Sequence, residues 1–422
     1  MILIVDKNKH FMQAQTIFYW LTGIIIVIFL IEKYLDWLNA RHFNDSLPEV
    51  VADVYDAASY QKSQKYKTAN YKFEQFTGFI SLMAILAILW FKGFACLDQL
   101  VSRWTSSSFL QSLYFFGVLM VLSSILSLPF AYYRTFVIEE KFGFNQSTRK
   151  LFFTDQIKSL LISLVLGGVL LSAFIWFYQK TGTSFWIYAW GVFALFSIFI
   201  NMFYTDLIVP LFNKLTPLPD GELKDKLKDL AQKTNYHLSK IYVIDGSKRS
   251  SKANAYFSGI GPNKKVVLYD TLIKDLTPAE ITAVLAHEIG HYKRKHIIYQ
   301  LILSLLTTGL MLYLLSLVIH SDLLAQALGV PAAKFHINII AFALLFTPLS
   351  FMIGLLTNHV SRRFEYQADA FAKKYHNYED LISGLKKLSR NSLSNLTPHP
   401  WYVWAHYSHP TLLQRIKALQ DR

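Results

Sequence analysis

Two histidines four residues apart, with a glutamate between them, are the side chains of this chain best suited to chemistry: His287-Glu288-Ile289-Gly290-His291. On a helix, positions i and i+4 share a face, so His287 and His291 can present two imidazole nitrogens to one metal ion. Glu288, one residue along, can reach a water on that metal without being a ligand itself. Zinc lowers the pKa of the water it binds from about 15.7 to about 7, and a neighbouring carboxylate can take the proton as the water attacks a peptide carbonyl. A helix that merely carries two solvated histidines would show the same five residues, so the surrounding elements have to decide.

The helix itself is well marked. Thr277-Pro278-Ala279-Glu280 fits a capping box, with Thr277 at the N-cap, Pro278 at the first helical position and Glu280 at N3. Ile281, Val284, Leu285 and Ile289 then recur at helical spacing and give the segment a face to bury.

A catalytic zinc takes three protein ligands and keeps one open position. The third is expected from Phe364-Glu365-Tyr366-Gln367-Ala368-Asp369-Ala370-Phe371-Ala372, where Glu365 and Asp369 share a helix face among apolar neighbours. Acids so placed are costly unless paired or metal-bound. Glu365 is taken as the ligand, and Asp369 as the acceptor that orients a ligand histidine through its other ring N–H. Spacing alone fits equally an ordinary amphipathic helix in which Asp369 pairs with Arg362, Arg363 or Lys373.

The rest of the chain places this chemistry at a membrane. Of 422 residues, 53% are hydrophobic and 16% aromatic, and the mean hydropathy of +0.29 is high for a soluble protein. Apolar runs long enough to span a bilayer occur near 15–37, 76–98, 109–133, 156–178, 185–212, 297–320 and 336–357. About seven transmembrane helices follow, the fifth interrupted near its end by Asn201 and Asp206. The first run follows Lys7 and Lys9 but is long for a signal peptide and lacks a small-residue cleavage site, so it reads as a retained span.

The net charge of +14 is distributed by side. Basic residues gather in alternate loops: Arg41, Lys62, Lys65, Lys67 and Lys72 in the first, Arg134, Lys141, Arg149 and Lys150 in the third, and many more in 213–296 and after 358. The positive-inside rule puts these loops, both metal-motif segments and the C-terminus in the cytoplasm, with the N-terminus outside it. Nucleic-acid binding is not expected, because no recognition module accompanies the charge. The single cysteine, Cys96, excludes an intrachain disulfide and a multi-cysteine zinc cluster, and its place in or beside an apolar span predicts a buried, inert thiol.

Four regions follow: membrane helices in 1–212, a segment ending in the zinc helix in 213–296, two further spans in 297–357, and a C-terminal segment with the third ligand in 358–422. Within 213–296, a turn-rich entry at Thr216–Gly221 leads to a polar helix near 222–234. The β-prone runs Ile241–Ile244 and Lys265–Tyr269 follow, with an extended stretch Asn254–Gly259 between them. A small sheet there could offer an edge to a peptide strand or be a purely structural hairpin.

Several blocks together resemble the type 1 CAAX prenyl protease family of integral-membrane zinc endopeptidases. They are Thr135–Asn145, Pro210–Leu218, Gly246–Ser251, Asn254–Phe257, the zinc helix, Phe364–Ala372 and His406–Pro410, in the family's order and over essentially the whole chain. The resemblance implies an α-helical integral membrane protein: seven transmembrane helices around an intramembrane chamber, with a small cytoplasmic α+β zinc-metalloprotease domain. It implies one Zn2+ held by His287, His291 and Glu365, with Glu288 as base. It places Asn254, Ala255 and Tyr256 on a substrate-binding strand, His409 near the zinc as an oxyanion donor, and Arg415 as a brace of the site; the residues alone fit equally a helix-start histidine before Pro410 and a structural ion pair at Arg415. The implied substrate is a CAAX-type prenylated polypeptide or another membrane-associated one, cleaved by what is expected to be a monomer. Short non-cytoplasmic loops suit a bacterial homologue in the inner membrane; a eukaryotic one would sit in the endoplasmic reticulum. The alternatives are a heat-shock-type quality-control metalloprotease, which would leave the first two hundred residues unexplained, and a non-enzymatic transporter or scaffold. A site-2-type protease would bury its zinc helix in a span, whereas Lys293, Arg294 and Lys295 put this one at the membrane surface.

Overall fold

The computed structural model describes residues 2–238, 240–258 and 265–421, and Gly259 of the extended stretch lies outside them. The chain opens with α1 (Ile2–Arg41), α2 (Ala57–Trp90), α3 (Gly93–Trp104) and α4 (Ser108–Tyr133), the last continued by a π-helical turn over Arg134–Glu139. Next come α5 (Arg149–Thr181), α6 (Phe185–Leu207) and the short α7 (Val209–Phe212). Side-chain oxygens of Asp56, Ser107 and Thr148 accept from backbone N–H groups at the starts of α2, α4 and α5, supplying bonds that a helix cannot make for itself.

The segment that follows interleaves β1 (Leu215–Pro217), α8 (Glu222–Lys233), β2 (Lys240–Ile244), β3 (Ala255–Ser258) and β4 (Lys265–Tyr269). After α9 (Asp270–Asp275) it reaches α10 (Pro278–Lys293), whose capping box is formed by Thr277 and Glu280. The chain ends with α11 (His296–Val318), α12 (Asp322–Ala327), α13 (Phe335–Tyr375), α14 (Tyr378–Asn391), α15 (Pro400–His406) and α16 (Leu412–Gln420).

Among the described residues, six continuous helical stretches are long and apolar enough to cross a membrane. The longest, Arg149–Phe212, turns back at Gly182, whose φ of 55° suits glycine, so α5 and α6 are two helices and the apolar helices number seven. Phe177 stacks on Tyr188 across that turn. Contacts of α1 with α2, α4 with α5, α5 with α6, α6 with α11, α11 with α13 and α13 with α1 run round a ring, and the π-helical turn after α4 touches α2. Only 6–17% of the most apolar window of each stretch is buried, as befits a single layer of helices with a face on either side.

The second apolar run differs from expectation. It is not one helix to residue 98: α2 stops at Trp90, and Lys92 in the left-handed conformation (φ 54°) turns the chain into amphipathic α3. Phe94, Ala95, Asp98 and Val101 form the buried face of α3, which leaves Cys96 on the outer face. The thiol is therefore exposed rather than buried.

The sheet runs β1-β2-β4-β3, with β2 and β4 parallel and the outer pairs antiparallel. Both β-prone runs are strands, and β3 takes an edge, with Ala255 opposite Leu268 and Tyr256 opposite Val267. β4 and the apolar face of α10 share one core through Val266, Leu268, Ile281, Leu285 and Ile289.

The helix that decides the site is α13. At 41 residues it is about 60 Å long, twice what a bilayer needs, so its second half extends beyond the hydrocarbon and carries Glu365 and Asp369 out to α10. The two helices meet through small residues. Gly290, Ala286 and Ala368 are buried at or beside the crossing, and a Cβ on Gly290 would lie 3.0 Å from the Ala368 Cα.

Candidate active site

α10 presents His287 and His291 one turn apart, and their Nε2 atoms face each other at 3.1 Å. From α13, the Glu365 carboxylate enters between them, Oε1 3.2 Å from His291 Nε2 and Oε2 3.4 Å from His287 Nε2. One ligand atom from each of the three residues lies within 4.8 Å of the others, a grouping able to hold a metal ion.

The donors suit a divalent cation on three counts. The buried Glu365 Oε2 makes no hydrogen bond, which a carboxylate oxygen out of water rarely tolerates without a cation. The His287 Nδ1–H donates to Asp369 Oδ1 at 2.8 Å, which leaves its Nε2 lone pair directed at the group. Charge also favours it: two buried carboxylates, Glu365 and Asp369, face a single, largely buried guanidinium, Arg415. Burial alone would lower the pKa of His287, but hydrogen bonds to Asp369 and Glu365 outweigh it and push it up to about 9, so with no metal bound a proton on Nε2 takes the place that a cation would fill.

Asp369 is clamped from its other side. Arg415, on α16, donates through Nη2 to Oδ1 at 2.6 Å and through Nε to Oδ2 at 2.9 Å, and its Nη1 stands 3.8 Å from Glu365 Oε2. Burial opposes the charge of Arg415, but Asp369 and Glu365 hold its pKa above the ordinary value. Two of the cations that could have claimed Asp369 are engaged elsewhere: Arg362 with the carbonyls of Val403, Trp404 and Tyr407, and Lys373 with that of Asp421.

His409 stands just before α16 with Nε2 3.3 Å from Glu365 Oε1 and Nδ1 2.9 Å from Ser408 Oγ, and its side chain is 63% exposed. A cavity of about 670 Å³ opens in front of the group. Glu288 and His409 line it, and so do Asn254, Ala255, Tyr256 and Phe257 of β3 and the residue before it. The structure thus brings every expected site residue to one place, from α10, α13, α16, the loop before α16, and β3.

Two neighbours escaped the sequence reading. His296, the first residue of α11, is buried against His291, and Gln367 of α13 contacts its far nitrogen. The only signal was a third histidine five residues past the motif, on the far side of Lys293, Arg294 and Lys295.

Residues 36–214 match the family model described as CAAX prenyl protease N-terminal, five membrane helices, and residues 217–422 match Peptidase family M48. The CAAX prenyl protease 1 of Saccharomyces cerevisiae is 38% identical, with 94% of each chain covered. The CAAX prenyl protease 1 homolog of Oryza sativa is 36% identical over 94% of this chain and 96% of its own. The crystal structure of S. mikatae Ste24p superposes with a TM-score of 0.92 at 36% identity, covering 96% of this chain and 99% of that one.

The chain belongs to the type 1 CAAX prenyl proteases of peptidase family M48. It is therefore a multi-span integral membrane metalloendopeptidase, and the junction between its two family regions, 215–216, falls at β1. Two joints tie the regions of this M48 peptidase together. Glu139, after α4, accepts from Lys252 at 2.8 Å and Tyr66 at 2.6 Å, and Arg249 forks onto Asp155 of α5 at 2.7 and 3.1 Å.

Proposed function

We propose that this peptidase holds one zinc ion through His287, His291 and Glu365 and cleaves CAAX-type prenylated or other membrane-associated polypeptides near their C-termini. The observation that carries the reading is the buried Glu365 carboxylate set between two histidine nitrogens, its Oε2 without a hydrogen bond, at the head of a cavity edged by β3.

Bound there, zinc would supply a Lewis acid that activates water and polarises the scissile carbonyl. The chain's own groups do the rest. An extended peptide adds to the edge of β3, where the backbone at Asn254–Tyr256 takes its main chain and fixes the register of the scissile bond. Glu288 accepts the proton of the attacking water and delivers it to the leaving amine. His409, exposed to the cavity, donates to the carbonyl oxygen as charge builds on it. Asp369 and Arg415 hold the His287 ring in one tautomer and orientation, so none of this alignment has to be made during the reaction.

The basic loops support a cytoplasmic active site. The first loop touches the catalytic segments directly, through Lys386 to Asp53 and Tyr55 to the Ser389 carbonyl, so the lysine- and arginine-rich segments share one side. The test uses purified protein. Zinc content should fall in His291→Ala and in His287→Ala but stay near one per chain in Glu288→Gln, which should lose hydrolysis. Full metal retention by both histidine variants would remove the ligand assignment. A farnesylated CAAX peptide should be cut faster than its unprenylated control; equal rates would point to general membrane proteolysis.

A further inference from the structure

We propose that His296 and Gln367 form a relay that fixes the tautomer of His291 and so sets the affinity of the metal site; the inference rests on the ligand set proposed above. His287 has a carboxylate, Asp369, to hold its Nδ1 proton. His291 has none. Its Nδ1 faces the Nδ1 of His296 at 3.0 Å, and the Nε2 of His296 faces Oε1 of Gln367 at 2.9 Å.

Only one proton fits between two facing ring nitrogens, and a neutral imidazole carries only one. With the Gln367 oxygen toward it, His296 donates from Nε2, so its Nδ1 is an acceptor. His291 must then donate from Nδ1, which leaves its Nε2 lone pair free for a cation. With the amide turned over, its NH2 donates to His296 Nε2, and His296 Nδ1–H donates to His291. The His291 proton is then forced onto Nε2, the ligand atom, where it faces His287 Nε2 at 3.1 Å. One arrangement of three side chains binds metal and the other blocks it.

The relay is held in place. His296 is buried, and its ring stacks on Phe364 at 4.2 Å and 9°. Lys295, with φ 59°, makes the reversal between α10 and α11 that brings the His296 ring back against His291. Phe364 and Gln367 flank Glu365 on α13, so the helix that supplies the third ligand also orients the second. Gln367 is exposed, so it can be replaced without opening a core.

The experiment measures zinc affinity of the purified full-length protein by competition with a chelator. His296→Phe keeps the ring on Phe364 but removes the acceptor, and should weaken binding about 10–100-fold, the usual cost of losing a ligand's supporting hydrogen bond. Gln367→Glu can only accept and should bind at least as tightly as the unmutated protein, whereas Gln367→Leu should bind more weakly. The Glu-to-Leu difference should vanish when both changes are made in the His296→Phe background. A difference that persists there is a through-space charge effect and overturns the relay, as does unmutated affinity in His296→Phe. Should His296→Phe fail to fold, the two Gln367 variants decide alone, and Gln367→Glu binding no better than Gln367→Leu overturns the relay. Absence of zinc binding by the unmutated protein would instead overturn the ligand set.

Discussion

Gly290 is where packing and chemistry are most tightly coupled, and Gly290→Ala is the sharpest perturbation of the site that leaves every functional group in place. A Cβ there would meet Ala368 Cα and Phe371 Cβ at 3.0 Å and the Ala368 carbonyl oxygen at 3.1 Å, against about 3.4 Å for ordinary contact. All three belong to the body of α13 rather than to the end of a flexible side chain, so α10 and α13 must part by about 0.4 Å. Overpacking of this kind costs about 1–3 kcal/mol, and the better helix propensity of alanine returns about 0.5–1 kcal/mol, so global stability should fall only modestly. The metal site should fall further. Gly290 adjoins His291, and Ala368 lies one turn from Glu365, so the same 0.4 Å opens between ligands, beyond the roughly 0.2 Å tolerance of metal–ligand distances. If a 1 Å misplacement costs about 100-fold, this one should cost on the order of tenfold in zinc affinity and in kcat/KM. Chelator competition and thermal melting of the metal-free protein measure the two effects separately. Gly117→Ala, with nothing within 4 Å of its Cβ, is the control for helix propensity. Unchanged zinc affinity in Gly290→Ala would show that the helix crossing does not set the ligand spacing.

Three further outcomes follow from the same geometry. His409→Ala should lower kcat by about 2.7–4 kcal/mol in barrier, with KM and zinc stoichiometry little changed; loss of zinc would make His409 a support of the metal instead. Burial would raise the pKa of Glu280, but hydrogen bonds from Lys387, Ser383 and the Thr277 N–H hold it below the ordinary 4.5. Its stabilisation is therefore complete above that value and lost as pH falls through the lowered one, and Glu280→Gln should reduce Tm at neutral pH, by about 1.5–3 kcal/mol in stability, and flatten the acid side of the Tm–pH curve. A reporter fused after Arg422 should be cytoplasmic, and full alkaline phosphatase activity in a bacterial periplasm would reverse the orientation.

The parts of this fold visible in the sequence are those written by local physics. The capping box at Thr277 and Glu280, the strand runs at 241–244 and 265–269 and the apolar runs all appear where their side-chain chemistry predicts. The length of α13 was hidden, because the apolar run stops at 357 and the polar Asn358, Ser361, Arg362 and Arg363 separate it from the acid-bearing helix, so the two read as separate elements. They stay helical because α15 packs on them: Asn358 donates to the Ala405 carbonyl at 2.7 Å, and Arg362 takes the carbonyls at the end of α15. The end of α2 was hidden for the opposite reason. Hydrophobicity runs on past Trp90, and only the left-handed Lys92 shows that the chain has turned. His296 was invisible for want of a periodic pattern, since it reaches His291 only through the reversal at Lys295.

α13 gives the site its logic. A ligand on a loop could be placed by local turns, but Glu365 lies on a helix whose other half is part of the apolar ring, so its position depends on how that half packs among α1, α11 and α4. α10 packs directly on α13, but its other faces are held by the sheet and by α8 and α14. The ligand set therefore closes only when the membrane half and the sheet half of the molecule are in register. The joints at Glu139–Lys252 and Asp155–Arg249 lie where the two halves meet, although neither pair touches the proposed metal ligands. Those residues are explained by geometry rather than chemistry: they hold the frame in which two histidines from one half can meet a glutamate from the other.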